Sequence, residues 1–197
     1  PDDWLTGTTT AACGGVTTVI DFATQSSGQR LSEAITDRQA EASLAVIDYA
    51  LHCMVTDLPP GREDELNELV DLGAASVKLY TTYRPNYYAD DATVLRLREA
   101  CAEFGLLPIV HCENDALVTA QTGALVEAGE TGWRVHGRSR SALAEQEAIQ
   151  RVLFLAEAAG CPVHIAHCST ASSISLVSEA RDWGQAASCE TCPQYLL

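Results

Sequence analysis

Ser141-Ala-Leu-Ala-Glu-Gln-Glu-Ala-Ile-Gln-Arg-Val-Leu-Phe-Leu-Ala-Glu-Ala-Ala159-Gly-Cys-Pro162-Val-His-Ile-Ala-His167-Cys-Ser169 holds one whole unit of the fold in its pattern. From Ser141 to Ala159 apolar residues recur every three or four positions, which predicts a helix with one buried face. Gly160 stands where that helix should stop. Pro162 to Cys168 is then a short apolar run of the length expected for a buried strand. It ends near His167, and Ser169-Thr170 is placed to cap the next helix.

The same alternation extends outward in both directions. Strands are expected at Val16 to Phe22, Tyr49 to Thr56, Ala75 to Tyr80, Leu106 to His111, Pro162 to Cys168 and Ala186 to Cys192. Helical patterns fill Leu31 to Ile47, Glu63 to Leu72, Asp91 to Phe104, Asp115 to Ala128, Ser141 to Ala159 and Thr170 to Trp183, with Gly73, Gly105, Gly160 and Gly184 at the stops. About six β-α units in series imply a parallel sheet with right-handed crossovers, either doubly wound or a barrel. Three strands end in a possible ligand, Lys78, His111 or His167, and a barrel projects its working groups from that rim. No Gly-rich phosphate motif supports the nucleotide-binding alternative. The expected fold is therefore α/β, a partial (β/α)8 TIM-type barrel with about six of eight units, in a single piece over residues 1–197. The glycine- and arginine-rich segment Gly129 to Arg140 reads as a loop over the rim or a partner contact.

Composition narrows the function. With 197 residues and 47% hydrophobic content the chain can build a real core, burying about 70% of its unfolded surface. No apolar run reaches the roughly 18 residues of a membrane span, and no secretory leader is visible. The net charge of -15 is spread over helix-like stretches such as Arg62-Glu-Asp-Glu-Leu-Asn-Glu68, which reads as a solvated face and disfavours nucleic acid. Five of the eight cysteines, Cys53, Cys112, Cys161, Cys168 and Cys189, lie in or beside apolar strands. Reduced buried thiols in a cytoplasmic protein are expected, not a disulfide framework. Cys189-Glu-Thr-Cys192 lacks the second pair of a zinc ribbon and is followed by Pro193, so it is not read as a redox or zinc motif.

His111 and His167 each end an apolar strand, and two imidazoles so placed can converge on one ion. His164, three residues earlier, is expected on the opposite strand face as a packing residue. Lys78 in Ser-Val-Lys-Leu-Tyr is costly inside a strand unless paired or modified. A buried ion pair and a carbamate formed with CO2 both satisfy that requirement.

Gly14-Gly-Val-Thr-Thr-Val-Ile-Asp-Phe22, Lys78-Leu-Tyr-Thr-Thr-Tyr83, His111-Cys-Glu-Asn114, His136 with Ser139-Arg140, His167-Cys-Ser169 and Glu190-Thr-Cys-Pro-Gln-Tyr195 together resemble the hydantoinase/dihydropyrimidinase branch of the cyclic amidohydrolases. The resemblance runs through nearly the whole chain. It implies that Lys78 is carbamylated and bridges two zinc ions, that His111 and His167 are ligands of the second ion, and that Tyr83 stabilises the oxyanion. The implied reaction opens the ring C-N bond of a hydantoin or dihydropyrimidine by attack of a bridging hydroxide.

The family's His-x-His pair at the first barrel strand and its aspartate at the eighth are expected before Pro1 and after Leu197, which reads as an internal fragment without the first and last barrel strands and inactive alone. Ser141 stands where the family has proline. Dihydroorotase- or allantoinase-like hydrolysis is the nearest alternative, and a non-catalytic assembly relative the alternative of a different class. The expected partners are a small cyclic amide and, for the complete protein, further copies of itself in a tetramer, with neither membrane nor nucleic acid.

Overall fold

The computed structural model of the chain describes residues 2–196. Packing divides the chain into two compact units, the first running to Lys78 and taking in Glu103–Leu106, the second comprising Leu79–Ala102 and the chain from Leu107 onward. Strand order is chain order, β1 to β6, and every described pairing is parallel, the topology of a partial (β/α)8 barrel.

The first unit contains α1 (Trp4–Cys13), β1 (Thr18–Thr24), α2 (Leu31–Glu41), β2 (Asp48–Met54), α3 (Glu65–Asp71) and the start of β3 (Ser76–Tyr80). β1 lies along β2 from Thr18 opposite Asp48 to Thr24 opposite Met54, and β2 continues onto β3 through Cys53–Val77 and Met54–Lys78. Leu31, Ile35, Cys53, Leu66, Leu69 and Val77 are fully buried, each large aliphatic contributing roughly 1.5–3 kcal/mol. Glu65 is buried among them but satisfied: its carboxylate accepts from the Leu31 amide at 3.1 Å and Arg62 Nε at 2.6 Å.

The second unit contains most of α4 (Asp91–Phe104), then β4 (Leu107–His111), α5 (Asp115–Glu127), α6 (His136–Ser139), α7 (Ala142–Ala158), β5 (Val163–Ile165), α8 (Ala171–Asp182) and β6 (Ala187–Cys189). Its core joins the inner face of α7 (Ala148, Ile149, Val152, Ala156) to Val110, Val163, Ile165 and Val177. Gly160 adopts φ +58° between α7 and β5, a left-handed conformation that a side chain would strain, and so ends the helix as expected. Thr170 caps α8, its hydroxyl accepting from the Ser173 amide at 3.2 Å. Ser141 is likewise the N-cap of α7.

Four expectations need correction. α1 was not expected, because Thr6, Gly7, Thr8, Thr9 and Thr10 are poor helix formers. Asp3 and Thr6 close a capping box at its start, and Thr8 and Thr10 turn their hydroxyls onto the carbonyls four residues back. The second helix ends at Glu41, with a 3-10 turn at Ala42–Leu44 in place of its last turns. The last two strands are only three residues each. Ile109 is in register with His164, so His164 shares the ladder face of Ile109 and, by alternation along β4, of His111. Strand alternation does not extend to His167, which lies past the end of β5. His164 does act in packing, with Nδ1 at 2.9 Å from Ser188 Oγ.

All eight cysteines are free thiols; Cys13 is exposed and Cys189 only half-buried. Among the described residues no helix is long and apolar enough to cross a membrane.

Candidate active site

The chain leaves β4 through His111-Cys-Glu-Asn114, and each residue of that turn is held. Fully buried Thr81 donates its amide to the His111 carbonyl at 3.0 Å, and its hydroxyl accepts from the Glu113 amide at 3.0 Å and donates to the Glu113 carbonyl at 2.9 Å. Asn114 caps α5, Oδ1 accepting from the Leu117 amide at 3.0 Å. Asp115 reaches back to Thr82 at 3.1 Å and Arg84 Nε at 2.9 Å. Those bonds flank Tyr83, whose φ of +74° is unusual for a residue with a side chain.

The chain leaves β5 differently. Ala166 still donates to the Val110 carbonyl at 3.0 Å, but His167 turns to φ +39° and Cys168 donates to the Glu190 carbonyl at 2.7 Å. Glu145 of α7 closes the turn, its carboxylate accepting from the amides of Ser169 at 3.1 Å and Thr170 at 3.2 Å.

These two exits bring His111 Nδ1 to 3.0 Å from His167 Nε2, with the rings edge to face at 4.7 Å. On the far side of the first ring, His111 Nε2 lies 2.7 Å from Glu113 Oε2. Burial alone would raise the Glu113 pKa, yet the hydrogen bond from His111 and the charge of Arg140 hold it below the usual carboxylate range. An ionised carboxylate only accepts, so His111 Nε2 donates to it, and Nδ1 is the ring nitrogen left on the side of His167. Arg140 ion-pairs with Glu113 and places its guanidinium 4.9 Å from the Tyr83 ring centre, while the Tyr83 and His111 rings lie 5.1 Å apart. Burial, opposed by Arg140 and reinforced by Glu113, pushes the Tyr83 phenol above its ordinary pKa, so it remains a protonated donor. Tyr83, His111, Glu113, Arg140 and His167 line a cavity of about 330 Å3.

His111, His167 and Tyr83 are thus brought together within the second unit. Lys78 belongs to the first, where it is 2% exposed on β3 with its Nζ 5.9 Å from the centre of the Phe22 ring. Among the described residues no group of three or more His, Cys, Asp and Glu forms a metal cluster. The histidine pair nevertheless fits a divalent ion: two imidazole nitrogens converge and one ring is oriented by a carboxylate, a common support for metal-binding histidine. Sequence reading gave no role to Glu113, Arg140 or Glu145. The first two stood inside quoted motifs; Glu145 meets its partners 24 and 25 positions away and left no local signal.

No protein-family model matches the chain. Over its full length the chain is 39% identical to a D-hydantoinase of Streptomyces coelicolor, 36% to one of Geobacillus stearothermophilus and 40% to a D-phenylhydantoinase of Escherichia coli, spanning 42–43% of each. The backbone superposes on a dihydropyrimidinase from Brevibacillus agri with TM-score 0.96 at 35% identity, covering 100% of this chain and 43% of that one. It superposes on an L-hydantoinase from Arthrobacter aurescens with TM-score 0.88 at 27% identity, covering 98% of this chain and 43% of the other. With sequence and backbone agreeing along its whole length, the chain belongs to the hydantoinase/dihydropyrimidinase family of the cyclic amidohydrolases.

Proposed function

We propose that the protein takes part in metal-dependent hydrolysis of a cyclic amide, opening the ring C-N bond of a hydantoin or dihydropyrimidine. The observation that carries this reading is the 3.0 Å approach of His111 Nδ1 to His167 Nε2 beside a protonated Tyr83. Residues 1–197 are taken as part of one catalytic barrel.

In this reading His111 and His167 hold one zinc ion through Nδ1 and Nε2. Lys78, as its carbamate, would supply an anionic oxygen ligand to the metal centre; that assignment rests on the Lys78-Leu-Tyr-Thr-Thr-Tyr83 motif. Zinc bound there supplies Lewis acidity and activates a water at neutral pH. Tyr83 donates its phenolic proton toward the oxygen that becomes negative when the ring carbonyl is attacked. Glu113 keeps His111 from rotating, and the buried surroundings of Tyr83 strengthen its hydrogen bond by lowering the local dielectric.

The test is zinc content and turnover of dihydrouracil and 5-substituted hydantoins by the complete product of the gene. About two zinc ions per chain, lost with Lys78→Ala, are expected of such a site. A protein without zinc and without turnover overturns the proposal. A homo-tetramer is part of the same proposal, and light scattering of the purified protein tests it.

A further inference from the structure

We propose that Glu113 and Arg140 are a positioning pair: Glu113 fixes the His111 tautomer that turns Nδ1 toward His167, and Arg140 ties that carboxylate to Tyr83. One ion pair thereby sets the metal donor and the oxyanion donor together. Its Tyr83 half rests on the cyclic-amide reading; its His111 half does not.

The geometry is a chain of four groups. Glu113 Oε2 lies 2.7 Å from His111 Nε2, and the same oxygen pairs with Arg140 Nη1. Both carboxylate and guanidinium are largely buried, so their attraction is weakly screened by water. From there the guanidinium extends over the Tyr83 ring at 4.9 Å, an aromatic face that attracts a cation. Tyr83 needs such an anchor. Its φ of +74° is strained for a residue with a side chain and persists only where neighbours over-determine it. Asp115 ties down the residues on either side, accepting from the side chains of Thr82 and Arg84, and Arg140 restrains the ring. The Glu113 backbone is anchored in turn, because Thr81 holds its amide and its carbonyl.

Long-range proton-nitrogen spectra of the histidine rings in the metal-free complete gene product read the first half directly. Wild type should carry the His111 proton on Nε2, and Glu113→Ala should shift it toward Nδ1 and weaken zinc binding roughly 10- to 100-fold. An unchanged tautomer and unchanged zinc affinity overturn that half. Glu113→Gln keeps an acceptor oxygen but not the charge, so it should preserve the tautomer while behaving like Arg140→Met. In the zinc-loaded protein Arg140→Met should lower kcat about tenfold with KM nearly constant, less than outright loss of an oxyanion donor. Adding Tyr83→Phe should then cost less than the product of the two single effects. Independent, multiplying losses overturn the second half. If zinc-loaded wild type turns over no cyclic amide, the functional reading fails, and the tautomer and zinc affinity still decide the role of Glu113.

Discussion

His167 reaches His111 because its own backbone leaves the strand. At φ +39°, just past the end of β5, it brings Nε2 to 3.0 Å from Nδ1 of a residue on the neighbouring strand. His164, still inside β5, lies in register with Ile109 and bonds to Ser188 instead. One turn of backbone therefore separates a packing histidine from a candidate ligand.

Replacing His167 by asparagine should separate backbone from ligand. Asparagine tolerates the left-handed region better than most residues, so the metal-free fold should persist with little change in its urea midpoint. Zinc affinity should fall by more than the roughly 10- to 100-fold that losing an outer partner costs. A chelator titration beside a urea melt measures both. Retained zinc affinity would remove His167 from the site.

Glu145→Ala tests the clamp behind that turn. The carboxylate accepts from two backbone amides at the start of α8, charge-assisted bonds worth roughly 1.5–3 kcal/mol each before the relaxation of neighbouring groups. Stability should fall by about 2 kcal/mol, and zinc affinity should fall with it because His167 loses its support. Unfolding curves and zinc titration on the same preparation show whether the two losses travel together.

The acid limb of stability should depend on Glu65. Burial alone would raise its pKa, but the bonds from Arg62 and the Leu31 amide, with the charge of Arg30, hold the folded value below the ordinary 4.5. A depressed folded pKa gives stability that is present above pH 4.5 and lost as pH falls through the folded value. Glu65→Gln should therefore be less stable near pH 7 by about 1–3 kcal/mol, and its stability should vary less below pH 4.5. Urea melts at a series of pH values check it; parallel curves for both proteins would show that Glu65 carries no such linkage.

Where a residue's role was written in nearby sequence, the sequence disclosed it. The helix stops at Gly160 and Gly184, the cap at Thr170 and the apolar runs of β3 and β4 are all local, and the structure places them where their patterns said. His111 and His167 were found the same way, as polar residues closing apolar runs. What local pattern could not give was direction beyond a strand's end, so a period of two was carried through to His167 and misplaced the face of His164. Helix α1 was hidden by threonines whose hydroxyls bond back to their own helix. Glu145 and Arg140 act on residues 24 to 27 positions away, contacts that only the fold creates.

Arg98 offers a test of the second unit's stability apart from its chemistry. Its side chain is fully buried, with Nη2 at 3.2 Å from the carbonyls of Cys161 and Pro162. Among the described residues Nε and Nη1 have no hydrogen-bond partner. Burial, opposed by the nearby Cys161, Cys101 and Cys112, pushes its pKa below the ordinary arginine value. A buried charge with unmet donors is expensive, and replacing buried ionic groups by apolar residues of similar volume is often neutral or stabilising by about 1–4 kcal/mol. Methionine follows the same path with a flexible apolar chain. Arg98→Met should leave stability unchanged or raise it by about 1 kcal/mol, whereas Arg98→Ala should lower it by about 2–5 kcal/mol by leaving a cavity. Urea melts of the two variants decide it: a methionine variant as unstable as the alanine one would show that the two carbonyl bonds outweigh the cost of burying the charge.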